Sequence, residues 1–167
     1  MKLSLESAFK QAEHYQKNNH FNDALSLYEK ILNFKPKHLP TLINLGNLFQ
    51  QKGNLDKAKY YFEKSLSLNN QNSELIFHLA ILYYKTNDLE KCLKNFHKLQ
   101  KQDPNYLYLR YNLLNVLRSN LILELKKTNR ELVEDLFLFL FKYKDIDHSA
   151  ISQNVLFFLF NKKELKE

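Results

Sequence analysis

The sequence predicts an all-α fold, a solenoid of stacked helix pairs closed by a helical cap, and three observations carry that expectation. Residues of like size recur at a constant interval of 34, the apolar positions inside each interval step by three and four, and the 167 residues include only two glycines and three prolines. A fixed period of roughly 20 to 50 residues is the mark of repeat architectures. Steps of three and four place apolar side chains on one face of a helix. Scarcity of glycine and proline argues against a loop-rich sandwich and against a long flexible linker. With 44% hydrophobic residues the chain is long enough to bury a core as one compact domain or short solenoid.

Three helix pairs are expected over 5–38, 39–72 and 73–106. Small residues mark the first helix of each pair at Ala12, Gly46 and Ala80, and the second at Ala24, Ala58 and Cys92. Two antiparallel helices approach closely only where no large side chain stands between them, and a ring from the partner helix fills the space beside the gap. Rings follow the same count: Tyr15, Phe49 and Tyr83 form one column, Tyr28, Phe62 and Phe96 another, while Phe21, Leu55 and Leu89 form an apolar third. Turn-forming Asn19, Gly53 and Asn87 fall where each pair reverses, and Pro36, Asn70 and Pro104 stand where each unit closes.

A fourth unit would begin at Leu107, where Leu113 and Leu117 keep the expected columns. Leu114 then occupies a position that needs a small residue, and Lys126 the place of the later alanine. Residues 105–127 are therefore predicted as one longer helix covering the last repeat, as the stacking face of a terminal repeat requires. Two more helices, about 130–143 and 148–160, complete a cap over 107–167, with Asp147 or Ser149 near the start of the last. Their runs LFLFLF and VLFFLF are apolar around the whole circumference. The plain expectation is that they pack on each other and on the long helix; the alternative is that part of this surface meets a second copy of the chain, giving a homo-oligomer, or another domain.

The small residue, the aromatic three positions on, the later alanine, the aromatic four beyond it and the closing proline together resemble the tetratricopeptide repeats. The resemblance covers 5–106 and is strongest in LGNLFQQKGNLDKAKYYFEKSLSL, with Cys92, Ser65 and Asn70 as local departures from an alanine, a larger apolar residue and a proline. It implies a right-handed α-solenoid of three hairpins whose concave wall is built from the first helices, and a scaffold that binds a protein or peptide there. Carried over by position, that wall holds an apolar column at Phe9, Ile43, Phe77 and Tyr111. Beside it run Lys10, Asn44, His78 and Asn112, then Glu13, Asn47, Ile81 and Asn115, then Gln16, Gln50, Tyr84 and Arg118. The implied peptide groove would use amides such as Asn44 and Asn112 for ligand backbone and Phe9, Phe77, Tyr84 and Tyr111 as anchors. Family members that clamp the carboxylate end of heat-shock chaperones place basic residues and asparagines where this chain has Phe9, Glu13, Glu74 and His78; only Asn44 agrees, so that binding is not expected. A weaker resemblance is to repeat segments that precede a sulfo-, glycosyl- or methyltransferase domain, which suggests as an alternative a regulatory or oligomerising module acting through the apolar C-terminal helices.

Composition excludes several chemistries. The formal charge is +7 with a pI near 9.3, yet only three of 25 basic residues are arginine, the usual choice for bidentate phosphate contacts, so no specific nucleic-acid partner is expected. Gly46 and Gly53 are explained by packing and turning, not by a phosphate-cradling loop. The six histidines show no HExxH or paired-cysteine spacing, the single Cys92 lies in a packing column, and neither metal nor cofactor is expected. Asp147, His148 and Ser149 are neighbours in sequence and cannot assemble a hydrolase triad, so no catalytic residue is expected. The amino terminus has no apolar stretch of signal-peptide length, and the runs at 136–141 and 155–160 fall far short of the roughly 20 residues that cross a bilayer. A cytoplasmic protein with no membrane contact is expected.

Overall fold

A computed structural model of the chain describes residues 4–119 and 129–144, together with positions 146, 147, 149 and 153. Among the described residues there are eight helices and no strand: α1 (Leu5–Lys17), α2 (Phe21–Phe34), α3 (Leu39–Gln51), α4 (Leu55–Leu68), α5 (Ser73–Lys85), α6 (Leu89–Gln102), α7 (Leu109–Arg118) and α8 (Arg130–Phe141). The chain divides into two compact units, 1–75 and 76–167, so the boundary falls within α5.

In each repeat the reversal between the two helices is built the same way. Asn19, Gly53 and Asn87 take φ of 62°, 74° and 58°, the left-handed conformation that closes a helix by returning two backbone N–H groups to its last carbonyls. Asn19 donates to Gln16 O at 3.1 Å and His20 to Tyr15 O at 2.9 Å; Gly53 and Asn54 do the same with Gln50 and Phe49, and Asn87 and Asp88 with Tyr84 and Tyr83. The next helix starts at once. Asn54 and Asp88 accept the N–H of Lys57 and Lys91 through their side chains at 3.1 and 3.2 Å, the usual N-cap bond, whereas His20 makes no side-chain cap bond to α2.

The first unit holds two such pairs. Leu42, Leu45 and Leu48 of α3 and Ala58, Phe62 and Ser65 of α4 are completely buried. Gly46 is the closest approach: a methyl group built there would lie 2.5 Å from Cε1 and 2.6 Å from Cδ1 of the Phe62 ring. Where the other repeats carry Ala12 and Ala80, this one needs no side chain at all. Ser65 fits its buried position by donating its hydroxyl to Tyr61 O at 2.7 Å, which satisfies the polar atom inside the helix itself.

In the second unit α6 buries Leu89, Cys92, Leu93, Phe96 and Leu99, at the three-and-four spacing of one helix face. α8 packs against both α6 and α7 and buries Val133, Leu136, Phe137, Phe139 and Leu140. Asp135 of α8 lies 3.3 Å from His97 Nε2 and 3.9 Å from Lys101 Nζ of α6, and the Arg110 guanidinium of α7 lies 4.2 Å from the centre of the Tyr143 ring. The LFLFLF run is thus mostly internal, with Leu138 and Phe141 left 59% and 49% exposed.

The long helix expected over 105–127 is corrected in its described part. Pro104 disfavours a helical Asp103, which takes φ −144° and ψ 77°, and two turn bonds, Tyr106 N to Asp103 O and Leu109 N to Tyr106 O, delay α7 to Leu109. At the other end Ser119 leaves the helix at φ −70° and ψ 146°, with both its N–H and its hydroxyl turned back to Val116 O. Residues 120–128 lie outside the described residues, as does nearly all of the helix expected over 148–160.

Two stability tests follow from this geometry. Gly46→Ala should lower stability by about 1–2 kcal/mol in urea denaturation, because displacing a buried ring costs more than the helix propensity of alanine returns; an unchanged midpoint would mean that the pair spreads freely. Asn87→Ala should cost about 1 kcal/mol, since a β-carbon without a local polar bond is disfavoured at positive φ, while Asn87→Gly should hold or raise the midpoint.

Candidate functional site

The column Tyr28, Phe62, Phe96 is completely buried, and its first member differs from the others by one hydroxyl. A buried hydroxyl needs partners, and here they come from the first helices of two repeats. Tyr28 Oη donates to Gln16 Oε1 of α1 at 3.0 Å and accepts from Asn44 Nδ2 of α3 at 3.1 Å. The same Asn44 Nδ2 donates to Glu13 Oε1 at 3.2 Å, and Gln16 Nε2 donates to Gln51 Oε1 at 3.2 Å. Burial, reinforced by the negative charge of Glu13 and opposed by the Asn44 bond, pushes the Tyr28 hydroxyl up to about 12, so it remains a donor at neutral pH. Above this network lies an open pocket of about 170 Å³ lined by Glu13, Gln16, Lys17, Asn44 and Gln51. All of these residues belong to the first unit.

Glu13 and Asn44, expected in separate columns of the wall, are therefore brought together, with Gln16 beside them. Ile43 and Asn47 are half-buried on the same helix. Lys10 turns instead to Glu6, at 2.8 Å on the exposed side of α1. Phe9 is half-buried against its own repeat, its ring centre 6.1 Å from Tyr28 and 5.4 Å from His38. Gln51, Lys17 and Tyr28 were not singled out for the site by sequence reasoning; the signal available was a tyrosine in a column otherwise made of phenylalanine.

In the second unit, Phe77 sits in the place equivalent to Phe9 and packs likewise, 6.4 Å from Phe96, 5.2 Å from Tyr106 and 6.1 Å from Tyr108. Asn112 spends its side-chain amide on Tyr108 O, four residues back in its own chain, at 2.9 Å. His78, Ile81 and Tyr84 are half-buried, while Tyr111 is 68% exposed. Cys92 is completely buried and its thiol is pushed well up by desolvation, which suppresses the thiolate a nucleophile needs. Among the described residues no three His, Cys, Asp or Glu side chains gather as a metal site, and no helix is long and apolar enough to cross a membrane.

Comparison with known proteins agrees with the helix-pair arrangement. Residues 50–114 match the sequence profile of the tetratricopeptide repeat. The chain is 31% identical over 88 residues to the probable UDP-N-acetylglucosamine–peptide N-acetylglucosaminyltransferase SPINDLY of Solanum lycopersicum, which covers 53% of this chain and 10% of that protein. It is 34% identical over 71 residues to the BBSome complex member BBS4 of Bos taurus, covering 42% of this chain and 14% of the relative. The chain thus spans about a tenth of the first of these relatives and a seventh of the second. Among solved structures it is similar to YrrB, described as a TPR protein with an unusual peptide-binding site, with TM-score 0.68, 18% identity, and coverage of 98% of this chain and 80% of that one. It is also similar to the first TPR of Spaghetti (RPAP3) bound to the HSP90 peptide SRMEEVD, with TM-score 0.61, 14% identity, and coverage of 67% and 89%. At such identities the structural likeness speaks for the fold alone. Residues 50–114 thus carry the tetratricopeptide repeat profile, and the 34-residue period, with its left-handed turn at Asn19, Gly53 and Asn87, extends the same pattern back to Leu5.

Proposed function

We propose that the chain is a non-catalytic, cytoplasmic interaction module that holds a protein or peptide segment against its first helices. The repeat fold supports protein–protein interaction in general. The observation that favours this particular face is the Glu13–Asn44–Tyr28–Gln16 network, a set of polar side chains pre-ordered by a buried ring and open to solvent on one side. Pre-ordering lowers the entropy cost of gripping a ligand. Within the first unit Phe9 supports the network from its own repeat and Ile43 and Asn47 flank it; within the second, Tyr84 and Tyr111 supply contact area, with Phe77, His78, Ile81 and Asn112 as their neighbours. Selection of short peptides from a displayed library by the purified chain should yield binders of about micromolar affinity, near 8 kcal/mol. Asn44→Ala should weaken such a binder by about tenfold, or 1.4 kcal/mol, with the melting curve little changed. A selected peptide whose affinity survives both Asn44→Ala and Tyr111→Ala would sink this assignment.

A second reading is favoured by the likeness to the N-acetylglucosaminyltransferase relatives and by the exposed Leu138 and Phe141 of α8. In it the chain serves a transferase as a regulatory or oligomerising module, with α8 as the contact. Sedimentation should then detect a dimer that Leu138→Glu converts to monomer; a monomer at every concentration would count against it, and so would genes on either side that encode no transferase.

A further inference from the structure

We infer that the pocket between α1 and α3 is built to receive a basic side chain, a lysine or arginine of the bound segment; this deepens the peptide-binding reading above and rests on it. The inference comes from counting donors and acceptors. An ionised carboxylate only accepts, so Glu13 requires Asn44 to turn its NH2 group toward it, and the neighbouring bonds then have their directions dictated. Both Asn44 protons are committed, one to Glu13 Oε1 and one to Tyr28 Oη. Tyr28 must consequently donate its own proton, and does so to Gln16 Oε1, which leaves Gln16 Nε2 to donate to Gln51 Oε1.

This one-way chain separates the remaining capacity of the pocket. Asn44 Oδ1 and the second Glu13 oxygen, Oε2, have no protein partner among the described residues, and both are acceptors. Gln16 and Lys17 follow Glu13 by about one turn on α1, and Gln51 follows Asn44 by about two turns on α3, so the spare protons and the ammonium lie toward the C-terminal ends of these helices. The pocket is therefore dipolar, accepting at the Glu13–Asn44 end and donating at the Gln16–Lys17–Gln51 end. A basic residue matches that order, with its cation on Glu13 and Asn44 and a carbonyl of the same segment near Lys17 and Gln51. Charge-assisted bonds of this kind are stronger than neutral ones. Lys10, on the preceding turn, is bonded to Glu6 at 2.8 Å, and Glu13 adds only a smaller attraction to it. Of the overall charge of +7, lysines beyond about 8 Å are largely screened at physiological salt, so among the pocket's own residues only Lys17 opposes a basic guest, and it stands at the donor end.

The test follows the side-chain amide signals of Asn44, Gln16 and Gln51 by NMR in the full chain, titrated with N-acetyl-arginine methylamide, N-acetyl-norleucine methylamide and N-acetyl-aspartate methylamide. The arginine probe should shift these signals with about tenfold tighter apparent binding than norleucine, the aspartate probe should be weakest, and Glu13→Gln, which keeps an acceptor for Asn44 but removes the charge, should erase the arginine advantage. If all three probes bind alike, or the arginine preference survives Glu13→Gln, the basic-residue assignment is overturned while a peptide site remains. If none of them shifts the signals, the pocket is not a peptide site and both readings fall together.

Discussion

The close approach of two helices beside a single ring is the constraint on which the rest depends. In the second repeat it is seen in its tightest form, where Gly46 leaves no room between α3 and the fully buried Phe62. The partner helix cannot drift without opening a cavity or forcing the ring aside, and protein interiors tolerate neither well. Alanine serves the same column in the first and third repeats, at Ala12 and Ala80, both without exposed surface. The turn that joins each pair is equally specified, because a left-handed residue at 19, 53 and 87 returns the chain at once and leaves little slack in where the second helix begins.

From that packing rule the polar site arises by the smallest of changes. Three rings fill equivalent gaps, and only Tyr28 carries a hydroxyl. Its position is dictated by apolar packing, so the hydroxyl arrives at a fixed point beneath α1 and α3, and the side chains of Gln16 and Asn44 must come to it. A network anchored in the core holds its members in place more firmly than surface side chains would hold one another. The polar network is thus a by-product of the repeat that has gained order from the repeat.

The helical cap shows a different balance. The LFLFLF run of α8 is apolar around its circumference, and the expectation from sequence was packing on the long helix and on the helix that follows. Contacts with α6 and α7, along with Asp135 between His97 and Lys101, resolve the choice in favour of α6 as its main support. Pro104 and Ser119 shortened α7 through local backbone effects that the column count had overridden.

What the sequence by itself determined is whatever depends on residue type and spacing: the positions of the helices from Leu5 to Gln102, the reversals at Asn19, Gly53 and Asn87, and the small and aromatic columns that face each other within a pair. Periodicity reports these because each is settled by neighbours within a turn or two, or by the same pairing repeated. Only the tertiary structure decided which side chains in a column were free to act. Phe9 and Phe77 are drawn into their own repeats, Asn112 is captured by the backbone of Tyr108, and Lys10 by Glu6, whereas Asn44 reaches across to Glu13 and Tyr28. A column assigns a direction from the helix axis, but the partner that wins a hydrogen bond is chosen by competition among groups as much as 35 residues apart within this network, and spacing carries no record of that contest.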